Sequence, residues 1–152
     1  MNMTDPNPAP VPAPDDATLR RIFDEARVFA CVGASANPAR PSHYVSQFLV
    51  DKGYRVIPVN PGLAGQTLFG ETVRADLAAI DEAVDVIDVF RQSEALPGLV
   101  EEALAMVPRP AVLWAQLGVI HPGAARRAHD AGMTVVENRC PKIEYPRLYA
   151  NR

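Results

Sequence analysis

Cysteines and metal-ligand spacings are scarce in this sequence, and each shortage excludes a class of protein. Only two cysteines, Cys31 and Cys140, occur among 152 residues, and they form neither a CxxC pair nor a metal-binding spacing. This excludes a disulfide framework, and we expect reduced thiols in a cytoplasmic protein. The three histidines have no spacing that a third ligand supports, so we expect no metal site.

Long apolar runs and a strong net charge are also missing. No apolar stretch approaches the roughly 18 residues that a membrane-spanning helix needs. The N-terminus lacks the basic start and long apolar core of a signal peptide, so we expect a cytoplasmic protein without a membrane partner. A net charge of -3 provides no basic surface for duplex nucleic acid. The length of 152 residues suits one compact domain.

The residue patterns of common catalytic sites are absent as well. The segment GASAN at residues 33–37 lacks the second glycine of a GxSxG nucleophile elbow. Asp85 with Asp88, and Glu101 with Glu102, are paired carboxylates that we interpret as strand-end and helix-surface charges. We therefore identify no catalytic residue, and the sequence leaves open whether the protein is an enzyme.

Proline, by contrast, is concentrated at the start of the chain. Between Pro6 and Pro14 every second residue is a proline. Such a segment has few backbone donors and little apolar mass, so residues 1–16 are predicted to form a disordered tail and residues 17–152 the folded domain. A proline-rich ligand for a partner protein is the alternative, although no lysine or arginine flanks these prolines.

Strand-like and helix-like segments alternate after a first helix, for which Asp16 or Thr18 is the expected N-cap. Strands are predicted at 27–33, 54–62, 84–90, 111–116 and 133–138, with a short extended piece at 66–71. Helices are predicted at 42–53, 93–106 and 121–132, the first two capped by Ser42 and Ser93, with a short helix at 74–80. The alternation predicts an α/β fold, a three-layer doubly wound domain around a mostly parallel sheet. Such sheets bind ligands beyond the carboxyl ends of their strands, where the strand order reverses.

The loop after the first predicted strand has the composition of an anion-binding turn. Gly33 lets the chain turn without a side chain, and Ala34 and Ser35 keep the approach open. A helix that begins at Ser42 would direct its free amides toward the same space. Arg40 adds a permanent positive charge that can form two hydrogen bonds to a phosphate. A plain strand-to-helix turn with an exposed arginine is the alternative.

This loop departs from the dinucleotide fingerprint. A GxGxxG motif would need glycines where the chain has Ser35 and Pro38. NAD-binding chains also tend to place an acidic residue at the end of the second strand, where this chain has Asn60. The sequence therefore lacks both features that indicate NAD.

Several ordered motifs carry a more specific resemblance. They are VGASANPARPSHYVSQFLVDKGYRVIPVNPG, VDVIDVFR, VLWAQLGV and VENRCPKIEY. Over about residues 20–146 the chain resembles the small stand-alone CoA-binding domain proteins, which are bacterial and archaeal and related in fold to the CoA-binding domain of succinyl-CoA synthetase. The resemblance implies a Rossmann-like fold that binds coenzyme A or a short acyl-CoA as a non-catalytic binding or regulatory module.

The resemblance also implies roles for particular residues. In similar proteins the loop that corresponds to Gly33, Ala34, Ser35, Arg40 and the helix start at Ser42 holds the diphosphate. The end of the second strand, here Asn60 and Pro61, would line the adenosine pocket, and the turn at Phe90 and Arg91 would lie across the crevice. From its charge and place, Arg91 is a candidate contact for the ribose 3'-phosphate, with a solvated arginine as the alternative.

Three further side chains lie near the expected crevice. Gln116, at the end of a strand, is expected to point into it and either hold ligand or satisfy the following turn. Trp114 is expected to pack in the core. Cys140 is either a thiol near the CoA sulfur, activated by Arg139 and Lys142, or a partly buried small residue.

Other functions remain open at this point. An enzyme, such as a nucleotide-dependent oxidoreductase or an acyl-CoA-processing protein, would need a base or nucleophile that the sequence does not show. An accessory subunit of an acyl-CoA synthetase would need a ligase-like partner. A homodimer is compatible with the fold, and the sequence does not decide it.

Overall fold

The computed structural model describes residues 10–150, which form an α/β domain around a parallel sheet. The strands are β1 (Val28–Val32), β2 (Arg55–Val59), β3 (Thr67–Leu68), β4 (Glu71–Thr72), β5 (Val86–Val89), β6 (Val112–Ala115) and β7 (Thr134–Val136). The helices are α1 (Asp16–Glu25), α2 (Pro41–Asp51), α3 (Leu96–Ala105), α4 (Pro122–Asp130) and α5 (Pro141–Leu148). Short 3-10 turns occupy Pro61–Leu63, Leu77–Ala79 and Ser93–Ala95.

The order of the strands in the main sheet is β2-β1-β5-β6-β7, and every neighbouring pair is parallel. The chain moves outward from β1 to β2 and then crosses to the other side of β1, so the order reverses between β1 and β5. This is the strand order of flavodoxin-like sheets, in which the ligand crevice lies at the reversal. The predicted doubly wound α/β fold is confirmed.

Helices cover both faces of this sheet. Phe29 and Cys31 of β1 pack in a core with side chains of α1, α2 and the end of α5. Their neighbours Ala30 and Val32 pack in a second core with α3 and α4. Strands buried on both faces have continuous apolar runs in the sequence, which is why the positions of these strands could be predicted from it.

Most of the predicted disordered tail lies outside the described residues. Residues 10–15 have no regular secondary structure, and Val11 packs against the core on the α3 and α4 face. The predicted boundary between tail and domain remains a prediction.

Between residues 10 and 150, no helix combines the length and apolar character needed to cross a membrane.

Three predicted helix caps are wrong. The N-cap of α1 is Asp15, whose side chain accepts a hydrogen bond from the Thr18 N–H at 2.8 Å, and not Asp16 or Thr18. The N-cap of α2 is Arg40, because Pro41 occupies the first helical position, where a missing N–H does no harm. Ser42 therefore lies inside the first turn of α2.

The third wrong cap is Ser93, because α3 begins later, after a 3-10 turn. The N-cap of α3 is Ala95, which makes no side-chain capping bond. The Ser93 hydroxyl instead accepts a hydrogen bond from the Ile120 N–H at 2.9 Å, so it joins two loops at the carboxyl edge of the sheet.

Helix α5 was not predicted, because two prolines obscure its pattern. Pro141 stands at the helix start, and Pro146 lies inside the helix. Pro146 has no N–H to donate to the helix, and the packing of α5 against α1 outweighs this missing hydrogen bond. The Tyr145 ring packs edge-on against the Phe23 ring of α1, with 5.2 Å between the ring centroids. The Tyr149 hydroxyl donates a hydrogen bond to Asp24, also in α1, at 2.7 Å.

The predicted short helix at 74–80 is also wrong. The Arg74 N–H donates to the Pro58 carbonyl at 2.9 Å, so the chain is extended there beside β2. Only a 3-10 turn follows, capped by the Asp76 side chain. The extended piece at 66–71 is confirmed and pairs as the antiparallel hairpin β3–β4.

Candidate functional site

A crevice of about 970 Å³ lies at the carboxyl edge of the sheet, where its volume suits a ligand of nucleotide size. It is lined by the loops that follow β2, β1, β5 and β6 and by the start of α5. The predicted site residues that line it are Gly33, Ala34, Ser35, Arg40, Ser42, Asn60, Phe90 and Gln116. The structure therefore brings together residues that lie far apart in the sequence.

Gly33 makes the sharp turn after β1 and has no space for a side chain. Its φ of +90° is a conformation that favours glycine. A Cβ at this position would lie 3.0 Å from the Phe90 carbonyl oxygen and 3.3 Å from Cδ of Arg91. The Gly33 and Ala34 N–H groups both donate to the Val59 carbonyl, at 3.0 and 3.2 Å. The turn is thus fixed between the ends of β2 and β5.

The rest of the first loop is folded by its own side chains. The Ser35 hydroxyl accepts from the Asn37 N–H, and the Asn37 side chain accepts from the Ala39 N–H, both at 3.0 Å. Within residues 10–150, the N–H groups of Ser35, Ala36 and Ser42 donate no hydrogen bond. Open amides in a loop that leads into a helix N-terminus are suitable donors for an anion.

Arg40 supplies the positive charge of this loop. Its side chain is exposed and makes no capping hydrogen bond. None of the ion pairs formed among residues 10–150 includes it. The guanidinium is therefore available to an anion in the crevice.

Asn60 connects the first and second loops. Its side-chain N–H donates to the Ala34 carbonyl at 2.8 Å, and its side-chain oxygen accepts from the Gly62 N–H at 2.8 Å. These bonds turn the side chain toward the protein, so Asn60 shapes the wall of the crevice at the end of β2.

Two of the predicted site residues lie elsewhere. Pro61 and Arg91 line a smaller cavity of about 350 Å³ that shares part of its wall with the crevice. Asp76 and Glu102 also line this cavity, so it carries charges of both signs. The expected contact of Arg91 with a 3'-phosphate stays a prediction.

The crevice floor at the end of β6 contains a buried polar pair. Gln116 is 6% exposed, and its Nε2 donates to Oδ1 of Asp88 at 2.7 Å. Asp88 is 1% exposed, and its Oδ2 is buried without a hydrogen-bond partner in the described part of the chain. Burial raises the pKa of the Asp88 carboxyl to about 7, and the hydrogen bond from Gln116 opposes the shift.

The interpretation of Asp88 as a strand-end charge is wrong. Strand alternation turns its side chain to the same face as Cys31, its register partner on β1. Asp88 stands in the fully buried strand VIDV, so its neighbours carried a signal of burial that the sequence interpretation missed. Asp85, in contrast, does cap a strand end, since it accepts from the N–H groups of Arg27 and Val28.

Cys140 lines the crevice as the N-cap residue of α5. Burial raises the pKa of its thiol, although hydrogen bonds from the backbone of Lys142 and Ile143 oppose the shift. Arg139 does not serve the thiol, since its guanidinium binds Glu144 at 2.8 Å. Cys140 is thus a buried, protonated thiol in the crevice wall.

Trp114 and Cys31 are core residues, as predicted. Trp114 is fully buried, and its Nε1 donates to the Arg139 carbonyl at 2.8 Å. The Cys31 thiol donates to the Ser42 carbonyl at 3.7 Å, and burial raises its pKa.

An apolar rim borders the crevice beyond Gln116, and sequence interpretation did not find it. Leu117 and Ile143 line the opening and are 57% and 54% exposed. Tyr44 lines it from α2, with the Lys142 ammonium 5.6 Å from its ring centre. Exposed apolar side chains at a cavity mouth are typical of a ligand or interaction site.

Among residues 10–150, no cluster of three or more His, Cys, Asp and Glu side chains is suited to holding a metal.

A protein-family model described as a CoA binding domain matches residues 27–146 of the chain. The chain belongs to this CoA-binding family. The matched region contains all seven strands, the crevice and most of α5. The resemblance that the sequence motifs indicated is confirmed.

Relatives within and around the CoA-binding family are similar over nearly their full lengths. The uncharacterised protein YneT of Bacillus subtilis is 37% identical over 132 residues, which cover 87% of this chain and 95% of YneT. A solved Thermus thermophilus structure is 41% identical with a TM-score of 0.85, covering 90% of this chain and 100% of that one. A hypothetical protein of Pyrococcus horikoshii is 30% identical with a TM-score of 0.84, covering 93% and 97%.

A larger protein shares the fold. A dinucleotide-forming acetyl-coenzyme A synthetase of Ca. Korarchaeum cryptofilum matches at 22% identity with a TM-score of 0.62. The match covers 77% of this chain and 27% of the synthetase chain. At this identity the likeness shows a common fold for this chain and one part of that enzyme.

Proposed function

We propose that the protein binds coenzyme A or a short acyl-CoA in the crevice, as a non-catalytic binding or regulatory module. The observation that carries the proposal is the crevice itself, which joins open amides and a free arginine to an apolar rim across the carboxyl edge of the sheet. Membership of the CoA-binding family supports the identity of the ligand.

The dimensions of the sheet suit an elongated ligand. Neighbouring strands lie about 4.8 Å apart, so the ends of five strands span about 19 Å. A ligand that lies across them would place its nucleoside over β2, its diphosphate over β1 and its remaining arm over β5, β6 and β7. Coenzyme A has these three parts in this order.

Of the three parts of the proposed ligand, the diphosphate has the best-supported position. The amides of Ser35, Ala36 and Ser42 and the guanidinium of Arg40 offer hydrogen bonds and positive charge at the start of α2. Hydrogen bonds to a charged group contribute about 1.5–3 kcal/mol each. The adenosine would lie along the wall formed by Asn60 and its neighbours, with Arg91 near the ribose in the adjoining cavity.

The opposite end of the crevice suits an arm with apolar and amide groups. Phe90, Leu117 and Ile143 line it with apolar surface, and the exposed rim would accept a short acyl chain. Cys140 lines the crevice with a thiol that burial keeps protonated, which supports a binding role.

A ligand panel tests the proposal. Thermal unfolding is measured with coenzyme A, dephospho-coenzyme A, ADP and NAD. A ligand at 100 times its dissociation constant stabilises the fold by about 2.7 kcal/mol. For a chain of this size that corresponds to a rise in Tm of about 5–10 °C. We expect the largest shift with coenzyme A, a smaller one with dephospho-coenzyme A and none with NAD; an equal shift with NAD would contradict the proposal.

A further inference from the structure

Hydrogen bonds fix both the backbone and the side chain of Gln116. The backbone N–H of Gln116 donates to the Val89 carbonyl at 3.2 Å, and the backbone carbonyl of Gln116 accepts from the Val119 N–H at 2.9 Å. Its side-chain Nε2 donates to Asp88 at 2.7 Å. A residue that lines the crevice is thus oriented from beneath by a carboxylate in the sheet.

The partner decides which end of the Gln116 amide faces the ligand. An ionised carboxylate only accepts hydrogen bonds, so it must bind the Nε2 end of the amide. Gln116 Oε1 receives no hydrogen bond from any of residues 10–150, nor is it among their buried unpartnered atoms. While Asp88 is ionised, the crevice therefore receives a hydrogen-bond acceptor at the end of β6.

Asp88 is surrounded by neutral groups. Cys31 of β1 and Cys140 at the start of α5 both feel its charge, and burial raises the pKa of each thiol. Trp114 of β6 is its register partner, with its Nε1 bound to the Arg139 carbonyl.

Helix α2 covers this face with the buried Ser42 and Ser46, and Ser46 Oγ has no hydrogen-bond partner among the described residues. No charged side chain of the described chain contacts Asp88 through a hydrogen bond or ion pair. Its pKa of about 7 therefore places its protonation in the neutral range.

We propose that Asp88 is a positioning residue that holds Gln116 as an acceptor for a hydrogen-bond donor on the non-nucleotide arm of the ligand, and that protonation of Asp88 removes this constraint. The donor class is an amide N–H or a thiol, which are the donors that the arm of coenzyme A offers. The inference rests on the proposed function and adds a specificity-determining contact to it.

Protonation changes the hydrogen-bonding requirement of the pair. A protonated Asp88 has both an O–H donor and a carbonyl acceptor, so it no longer confines the Gln116 amide to one orientation: Nε2 can still donate to it, or Oε1 can accept the O–H once the amide has turned over. In the turned-over orientation Nε2 faces the crevice, and a donor on the ligand meets another donor. The arm is therefore held more weakly as pH falls through about 7. One hydrogen bond corresponds to about a 3- to 10-fold change in Kd.

The test compares two ligands on the full chain by isothermal titration calorimetry. Coenzyme A carries the arm, whereas 3'-phospho-ADP, used as the methyl ester of its terminal phosphate so that no extra phosphate ionisation is present, has the nucleotide, the diphosphate diester and the 3'-phosphate without it. The ratio of their Kd values cancels the titration of the phosphates. We expect the preference for coenzyme A to fall about 3- to 10-fold between about pH 8.5 and pH 6 in the wild type. Asp88→Asn should make the ratio independent of pH.

Gln116→Leu tests the contact itself. At about pH 8 it should weaken coenzyme A about 3- to 10-fold and leave 3'-phospho-ADP unchanged. Gln47→Leu is the matched control, because Gln47 also donates to a carboxylate, Asp51 at 2.9 Å, but on the exposed face of α2. An S-methylated coenzyme A separates the two donors: it keeps the pH-dependent preference if an amide is bound and loses it if the thiol is.

Three results would overturn the inference. They are a wild-type ratio that is flat with pH, an Asp88→Asn ratio that keeps the wild-type profile, and a Gln116→Leu variant that weakens both ligands equally. If Gln116→Leu does not fold, the near-isosteric Asp88→Asn still decides. If neither ligand binds the wild type, the proposed function itself fails and the inference fails with it.

Discussion

Gly33 shows how one residue sets the approach to the crevice. Its positive φ and the missing Cβ are needed for different reasons, since one concerns backbone conformation and the other the Phe90 carbonyl 3.0 Å away. Gly53 shares the first requirement without the second, because its φ is +97° and no atom lies within 4 Å of an added Cβ.

This difference predicts unequal effects for the same substitution. Gly53→Ala should lower the free energy of unfolding by about 1–2 kcal/mol, the usual cost of a non-glycine residue in this conformation. Gly33→Ala should cost about 1–3 kcal/mol more, because backbone atoms must shift, and it should also abolish binding of coenzyme A. Urea unfolding and calorimetry measure the two effects, and equal losses of stability in both variants would contradict the role of the close approach.

Asp88 predicts a pH dependence of stability. Its pKa in the folded protein, about 7, lies above the ordinary value of 3.8, so the unfolded chain ionises first as pH rises. The contribution of Asp88 to the free energy of unfolding is fully present below about pH 4 and is lost as pH rises to about 7. The loss amounts to about 2–4 kcal/mol.

Asp88→Asn removes this loss, because the amide has no charge to bury. Relative to the wild type, the variant should become more stable by about 2–4 kcal/mol between about pH 4 and pH 8, as measured by urea unfolding. Comparing the two proteins cancels the carboxylates, such as Glu71, whose pKa is lowered by hydrogen bonds from Arg55. A constant difference between them across this range would show that Asp88 is ionised without penalty.

At the scale of elements, two loops provide arginines for different parts of the proposed ligand. Arg40 stands at the start of α2, beside the open amides, whereas Arg91 follows β5 and lines the adjoining cavity. Their separate positions predict different ligand dependences.

Arg40→Ala should weaken coenzyme A and dephospho-coenzyme A alike, by about 1.5–3 kcal/mol, because both contain the diphosphate. Arg91→Ala should weaken coenzyme A alone, because dephospho-coenzyme A lacks the 3'-phosphate. Calorimetric titration of both ligands against both variants serves as its own control. An Arg91→Ala variant that loses both ligands equally would place that arginine at the diphosphate instead.

Helix α5 is attached to α1 through its end. The Tyr149 hydroxyl donates to Asp24 at 2.7 Å and lies 3.1 Å from the Arg20 carbonyl oxygen. Tyr149→Phe should lower the free energy of unfolding by about 1–2 kcal/mol, since it removes the hydrogen bond from the Tyr149 hydroxyl to the Asp24 carboxylate. Tyr145→Phe, the same change one turn earlier, should stay within about 0.5 kcal/mol. A loss in Tyr149→Phe no larger than that in Tyr145→Phe would show that the hydroxyl contacts do not hold α5 to α1.

At the scale of the whole molecule, local patterns predicted most of the fold. Strands such as β1 and β6 are covered on both faces, so each appears in the sequence as an apolar run between helical segments. The first loop was found because Gly33 directly follows such a run and Arg40 lies in the same loop, just before α2. Helix α5 was missed because Pro141 and Pro146 are typical helix breakers, and its stability comes from contacts with α1.

Long-range pairs were beyond the reach of local patterns. Asp88 and Gln116 are 28 residues apart, and neither residue by itself indicates the other. The apolar rim combines Leu117 with Tyr44 and Ile143 from two helices, which only the completed sheet brings together. Sequence interpretation located the loops of the crevice, while the pairing of side chains across it required the structure.

The walls of the crevice also have a consequence for how the protein is made. They extend from Gly33 to Ile143, almost from the first strand to the last helix. During synthesis the crevice is therefore incomplete until the start of α5 has left the ribosome. A ligand cannot guide the early steps of folding and acts only on the finished domain, whose lifetime in the cell would then follow the supply of that ligand.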